Sequence, residues 1–237
     1  MVALLAVFLI VATLARIPVR SDALWATGRA IVQFLVVAVV IAWIFAHPQW
    51  AVAYLTVMLA AAAWTAGRRI RSPWRSTAAL AAVIAAGAAV PVAAVLGVGA
   101  LPLEAASVLP FAAQMIGSAM AAVAVTGLRM RDEAHERWGE VEGWLALGAP
   151  PRLAVLDLGR RAVARALVPA LDQTRSAGLV TLPGAFVGLL LGGASPLEAA
   201  RIQVLVLVGI LAAQAVAAVL TLRLLAPGFG AVRPDAG

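Results

Sequence analysis

Long uncharged apolar runs alternate with short arginine-bearing stretches along nearly the whole chain. In order, the runs are 1–15, 30–46, 50–67, 76–103, 105–128 and 202–222, of 15, 17, 18, 28, 24 and 21 residues. A helix needs about 17–25 mostly apolar residues to cross the hydrocarbon of a bilayer. The first run falls short of that. The fourth exceeds it, and its Pro91, Gly97, Gly99 and Pro102 predict that its tail is partly loop. A further run, 167–191, is interrupted by Asp172 and Arg175. The pattern predicts an all-α integral membrane protein of about seven transmembrane helices, the first one short. A signal-peptide core would have the same length as 1–15. Such peptides carry a basic n-region, and nothing basic precedes Arg16. A short first helix is therefore the preferred reading, although a start lying upstream would equally account for its length.

Arginine placement orients these helices, because short cytoplasmic loops collect positive charge. Arg16, Arg20 and Arg29 flank the first connection, and Arg68, Arg69, Arg71 and Arg75 fill the third. Seven arginines lie in 129–165, and Arg223 and Arg233 follow the last helix. The alternate connections, His47-Pro48-Gln49, the stretch around Glu104 and 191–198, carry little positive charge. The N-terminus is predicted outside and the C-terminus in the cytoplasm. Residues 1–225 read as one transmembrane domain, and 226–237, rich in Pro and Gly, as a flexible C-terminal tail.

Composition agrees with lipid as the solvent. Of 237 residues, 64% are hydrophobic and 12% charged, with mean hydropathy +1.00, against about 45–50% and about 25% in soluble domains. Cysteine is absent, which removes disulfides, thiolate metal sites and cysteine nucleophiles. The two histidines, His47 and His135, are too few for a His-rich metal centre. All 18 basic residues are arginine. Without lysine there is no GxxxxGK[ST] phosphate loop, so any ATP used must bind another chain. The net charge of +7 does not imply nucleic acid, because the arginines sit at the ends of apolar runs.

The longest polar segment, 129–165, carries patterned structure. Ala134, Trp138, Val141 and Leu145 follow i, i+4, i+7, i+11, one face of a helix. Gly148-Ala149-Pro150-Pro151 then stops it, and a second helical stretch, 153–167, leads back to the membrane. Such a helix either lies on the membrane surface, anchored by Trp138 and Trp144, or docks into a groove on a cytoplasmic partner.

Within the apolar runs, ionisable and polar residues are candidates for function. Asp172 and Arg175 stand three apart on one helical face. They read either as a neutral surface pair or, with Gln173, as the mouth of a cation path, since carboxylate and amide oxygens suit hard cations. Thr181-Leu-Pro183-Gly184 predicts a kink or break, and broken helices often mark transport sites. Gln33, Gln114, Gln203 and Gln214 are expected to hydrogen-bond between helices. Met115 and Met120, near Gln114, read as packing residues or as thioether ligands for a soft metal. The alanine-rich stretches 60–63 and 78–89 read as close-packing faces.

Four blocks then carry a family resemblance. They are Gln114-Met-Ile-Gly-Ser-Ala-Met120, Glu140-Val-Glu142-Gly-Trp-Leu-Ala-Leu-Gly148-Ala149, Asp172-Gln-Thr-Arg-Ser-Ala-Gly-Leu-Val-Thr-Leu-Pro-Gly184 and Leu191-Gly-Gly-Ala-Ser-Pro-Leu-Glu198-Ala-Ala-Arg201-Ile-Gln203. Together with Arg29-Ala-Ile-Val-Gln33, this order resembles the FetB-type family of ABC transporter permeases, associated with iron export and, in plants, with aluminium tolerance. The resemblance implies a multi-pass permease of the bacterial plasma membrane that exports metal ions. It implies an ABC ATP-binding subunit as partner, a homodimer of permeases, and ATP and Mg bound by the partner rather than by this chain. The ATPase-coupling residues would be Trp138, Glu140, Glu142, Leu147, Gly148 and Ala149. The translocation path or hinge would draw on Gln114, Met115, Met120, Asp172, Gln173, Arg175, Pro183 and Gly184. The metal ligands are unassigned, and no catalytic residues are expected. The rivals are an ion-coupled secondary transporter acting through Asp172, an integral-membrane enzyme and a membrane scaffold.

Overall fold

The computed structural model describes residues 2–15, 20–70 and 76–233. Among them the chain forms α1 (Val2–Leu14), α2 (Arg20–Ala46), a 3-10 turn (Pro48–Trp50), α3 (Ala51–Ile70), α4 (Thr77–Gly97), α5 (Ala105–Glu136), α6 (Trp138–Ala146), α7 (Pro151–Ala154), α8 (Leu156–Ser176), α9 (Gly184–Leu191) and α10 (Pro196–Ala231). No strand occurs among the described residues, only an isolated bridge between Ala177 and Thr181.

Five helical segments are long and apolar enough to cross a bilayer: Ala23–Ala46, Pro48–Ile70, Thr77–Gly97, Ala105–Glu136 and Pro196–Ala231. With 13 residues, α1 is about 20 Å long, short of the roughly 30 Å of hydrocarbon. The run over 167–191 is not one helix. It splits into α8, which ends at Ser176, and α9, which begins at Gly184. Of the arginines used for orientation, Arg16, Arg71 and Arg75 lie outside the described residues.

The chain forms two compact units, Met1–Ala51 and Val52–Gly237. In the first, the end of α2 is fastened by stacking of Trp43 on His47 at 4.8 Å. The ring Nδ1 of His47 lies 3.1 Å from the Trp43 carbonyl. In the second, α4, α5 and α10 interlock through small residues. A Cβ on Gly87 would stand 2.9 Å from the Ala217 Cβ and 3.2 Å from the Ala119 Cβ, so the three backbones approach as closely as glycine allows. Ala62, Ala63 and Ala88 are buried in the same core, as the alanine-rich stretches predict.

Local sequence explains where these helices start. Ser195 N-caps α10, its hydroxyl accepting from the Glu198 N–H at 3.3 Å. Ser76 caps α4 in the same way. Pro91 is carried inside α4, which ends at Gly97, so the expected loop is confined to 98–104. The tail expected from Ala226 is a correction. α10 continues through Ala231 with Ala226 and Phe229 buried. The backbone of Pro151 lies so close to Gly230 that no side chain fits there, and this contact holds the end of the helix. Residues 234–237 lie outside the described residues.

Candidate functional site

Two regions of the second unit gather the residues singled out by sequence: the elbow from α5 to α8, and the break between α8 and α9. The elbow corrects one expectation. The helix predicted to carry Ala134, Trp138, Val141 and Leu145 is interrupted at Arg137, where α5 ends and α6 begins. Its apolar face does not await a partner. Ala134 and Val141 are fully buried, and Trp138 and Leu145 pack on the core. The outward face of α6 is a different one. It presents Glu140, Glu142, Gly143, Trp144 at 56% exposure and Leu147 at 81%.

This face is stiffened from within. The Trp138 indole N–H donates to the Glu142 carboxylate at 2.7 Å, and Arg137 pairs with Glu140 at 2.6 Å. Gly148 ends α6 with φ +87°. Its N–H donates to the Leu145 carbonyl at 2.9 Å, and that of Ala149 to the Trp144 carbonyl at 3.0 Å. That pair is a Schellman closure, which needs a left-handed residue at this position. It leaves Leu147 standing out at the corner, with Ala149 half-buried behind it.

Behind the elbow lies an ion pair that sequence reading missed. Glu133 of α5 is 5% exposed, and its carboxylate accepts a hydrogen bond from the Arg165 guanidinium of α8. The two are 32 positions apart, so no local spacing reveals them. Glu133 reads instead as one more acid on a charged helix face. Elsewhere α8 is paired with itself, Asp157 to Arg161 at 2.7 Å and Asp172 to Arg175 at 3.2 Å.

At the break, the chain leaves α8 through Gly178, φ +85°, whose N–H donates to the Thr181 carbonyl at 2.9 Å. Pro183 then sets the start of α9, and neither Pro183 nor any other side chain of the break caps it. The cap comes from α10: the Gln203 Oε1 accepts the Phe186 N–H at 3.0 Å. Gln203 is 94% buried, and it lines a cavity of about 320 Å³ with Thr174, Gly178, Leu182, Pro183 and Phe186. Of the four glutamines expected to join helices, this one does so here.

The remaining path candidates do not converge. Asp172, Gln173 and Arg175 are exposed on α8, away from that cavity. Gln114 is exposed on α5 beside a second cavity of about 460 Å³, lined also by Ser107, Ala185 and Gly188. Met115 is fully buried against Gly209, and Met120 packs on the core. Gly184 is exposed at the first turn of α9. Among the described residues, no three His, Asp or Glu side chains come together as a metal-binding group would require.

Comparison with known proteins covers nearly the whole chain. The profile described as "Uncharacterised protein family (UPF0014)" matches residues 1–229. The "UPF0014 membrane protein STAR2" of Oryza sativa subsp. japonica is 35% identical over 216 residues, 90% of this chain and 76% of that protein. "Protein ALUMINUM SENSITIVE 3" of Arabidopsis thaliana is 32% identical over 212 residues, 89% of this chain and 78% of its own length. The "Probable iron export permease protein FetB" of Escherichia coli (strain K12) is 30% identical over 193 residues, 81% of this chain and 74% of its own. No solved structure matches the chain significantly.

Proposed function

The chain belongs to the UPF0014 family, and on that footing we propose that it is the membrane-spanning permease subunit of an ABC transporter. A separate ATP-binding subunit, carrying the nucleotide and Mg, drives it. The observation that carries the proposal is the outward face of α6. Glu140 and Glu142 stand beside an exposed Trp144 on a nine-residue helix, with Leu147 exposed at its C-cap, and the other side of the helix is locked into the core. An apolar anchor in an acidic frame, held rigid from behind, suits a groove on a second protein better than it suits water.

In this reading seven membrane segments place the N-terminus outside and α6 in the cytoplasm, with α8 and α9 as one discontinuous span. Two permeases and two ATPases form the working unit in the bacterial plasma membrane. Closure of the ATPases pushes on α6. The Glu133–Arg165 pair carries the push to α8, and the break at 177–183 lets α9 respond. The cargo is a metal ion, iron by analogy with the named FetB relative, moving outward. Asp172 also supports a second reading, an ion-coupled secondary transporter, because it is the single carboxylate exposed on the upper half of α8. Transport that persists without ATP would favour that reading.

The deciding experiment is capture of the tagged chain from mild detergent, followed by assay of the eluate for ATP hydrolysis. An ATPase should come down with the wild type and be lost from Trp144→Ala and Leu147→Asp, while the chain itself stays folded. If both variants retain the ATPase as the wild type does, the coupling role of α6 is wrong.

A further inference from the structure

α8 is anomalous for a helix packed among membrane spans. One face, formed by Leu158, Gly159, Ala162, Ala166 and Ala170, is buried against the core. The opposite face is uncovered along its whole length. Arg161, Ala164, Val168, Leu171 and Arg175 are all exposed there, spaced three, four, three and four apart. That is the spacing of a coiled-coil seam.

The depth of this seam follows from its neighbours. Gly159 stands against Leu222 of α10. Just beyond the break, Gln203 of the same helix holds α9. α8 therefore runs beside the apolar stretch 202–222 of α10. Asp172, thirteen residues past Gly159, lies about 20 Å up a stretch about 30 Å long. Its side chain is too short to reach either edge of the hydrocarbon. At that depth the one cation paired with it among the described residues is Arg175, at 3.2 Å, and such a pair favours protein or water over lipid.

We propose that a second copy of this chain covers the seam, with the two α8 helices packed in parallel across a two-fold axis. The proposal rests on the permease reading, which requires two copies, and names the surface on which they meet. Ala164, Val168 and Leu171 supply the dry centre. Below it, Arg161 and Arg165 are already neutralised within the chain by Asp157 and Glu133. Above it, Asp172 and Arg175 differ in height by about 4.5 Å. Within one chain Arg175 already pairs with Asp172 at 3.2 Å; a long arginine side chain also spans the gap across the axis, so in the dimer each Arg175 is shared between its own Asp172 and that of the other copy. Two aspartates and two arginines then form a neutral four-charge cluster, self-complementary as a two-fold interface must be.

Because the chain contains no cysteine, the test needs no background removal. Val168→Cys, Leu171→Cys and, as control on exposed α10, Val219→Cys are expressed as full chains. Membranes are treated with copper phenanthroline as oxidant, and the chain is then resolved by non-reducing electrophoresis. Disulfides form only when Cα atoms come within about 4.4–6.8 Å. The expected result is cross-linked dimer from Val168→Cys and Leu171→Cys and monomer from Val219→Cys. In the Val168→Cys background, Asp172→Arg or Arg175→Asp alone should lower the dimer fraction several-fold, and both together should restore it. A pair confined to one helix would not move this readout. A Val168→Cys chain that reacts freely with a water-soluble maleimide but never cross-links overturns the seam, and assigns this face to an aqueous path. Native mass of the purified complex separates the two levels. A dimer with its ATPase but without seam cross-links overturns the seam alone. A monomer without an ATPase overturns the permease reading beneath it.

Discussion

Replacing Gln203 with leucine isolates one interaction. The two side chains are close in volume, so the substitution opens little cavity. Its consequence is confined to the Phe186 N–H, which loses the acceptor now 3.0 Å away. α9 has no side-chain cap of its own, and Gln203 is 94% buried. Water therefore replaces the lost acceptor poorly. A buried donor left unpaired costs about 1–3 kcal/mol, which corresponds to roughly a 5- to 150-fold change in an equilibrium constant. The change should appear at the break and nowhere else. Hydrogen–deuterium exchange of the chain in detergent or nanodiscs reads it directly. Peptides covering 184–191 should exchange faster by a factor in that range, while those from the middle of α5 and α10 stay as in the wild type. Gln203→Glu, which keeps an acceptor oxygen, should fall between the two. If Gln203→Leu leaves exchange of 184–191 unchanged, the cap is not what holds α9. If exchange rises equally in α5, the residue is part of the global core and the local argument fails.

Three further perturbations test other contacts. Arg165→Ala leaves the buried Glu133 carboxylate alone. Breaking a buried pair from one side costs about 3–5 kcal/mol, and the 60% exposure of the Arg165 side chain discounts this toward about 2 kcal/mol. The double change Glu133→Leu, Arg165→Leu should melt above Arg165→Ala, and the reverse order would show that the pair is not buried as described. Gly87→Leu drives a side chain into Ala217 and Ala119; overpacking of about 1–3 kcal/mol or more should lower the melting temperature and the yield of folded chain, whereas Gly97→Leu, with open space around it, should not. Gly148→Val places a β-branched residue at φ +87°, a cost of about 1–2 kcal/mol. It should loosen the α6 turn and weaken ATPase capture while leaving the melting temperature of the membrane core near wild type.

The sequence makes the spanning helices legible because their signal is one-dimensional. Long apolar runs show directly in the order of residues, and Gly148-Ala149-Pro150-Pro151 acts within a few residues and marks a helix end found in the fold. The break near Pro183 is legible for the same reason, since Pro and Gly act locally. What the sequence hides is the direction in which a face points. Ala134, Trp138, Val141 and Leu145 form a stripe, but periodicity does not say whether the stripe meets a partner or the chain's own core, and here it meets the core. Glu133 hides for the opposite reason. It looks like its exposed acidic neighbours, and the arginine that neutralises it is 32 residues away. The tail misleads because Pro227, Gly228 and Gly230 weaken a helix locally, while the burial of Phe229 and the close approach of Pro151 outweigh that cost.

The second unit divides its tasks between two kinds of helix. Between residues 80 and 125, α4 and α5 carry no charged residue, the one in that range being Glu104 in the connection between them, and their interface with α10 is built from glycine and alanine. Backbones that approach so closely have no room to repack gradually, so this part of the unit moves as a block or not at all. α8 is the reverse. It holds six charged residues, buries mainly alanine and glycine, and ends at a break spanned by a few backbone hydrogen bonds and one glutamine from α10. Low local contact and a tie worth only a few kcal/mol are what an element needs to change conformation at modest cost. The tie comes from the rigid block itself, through Gln203, so the position of α9 is referred to α10 rather than to α8. A movement of α8 therefore reaches α9 only by way of the break. Straining the turn at 177–183, for example by Gly178→Ala at φ +85°, should impair transport more than it changes ATPase binding. If transport and capture fall in parallel, the two helices act as one rigid span, and the division argued here does not hold.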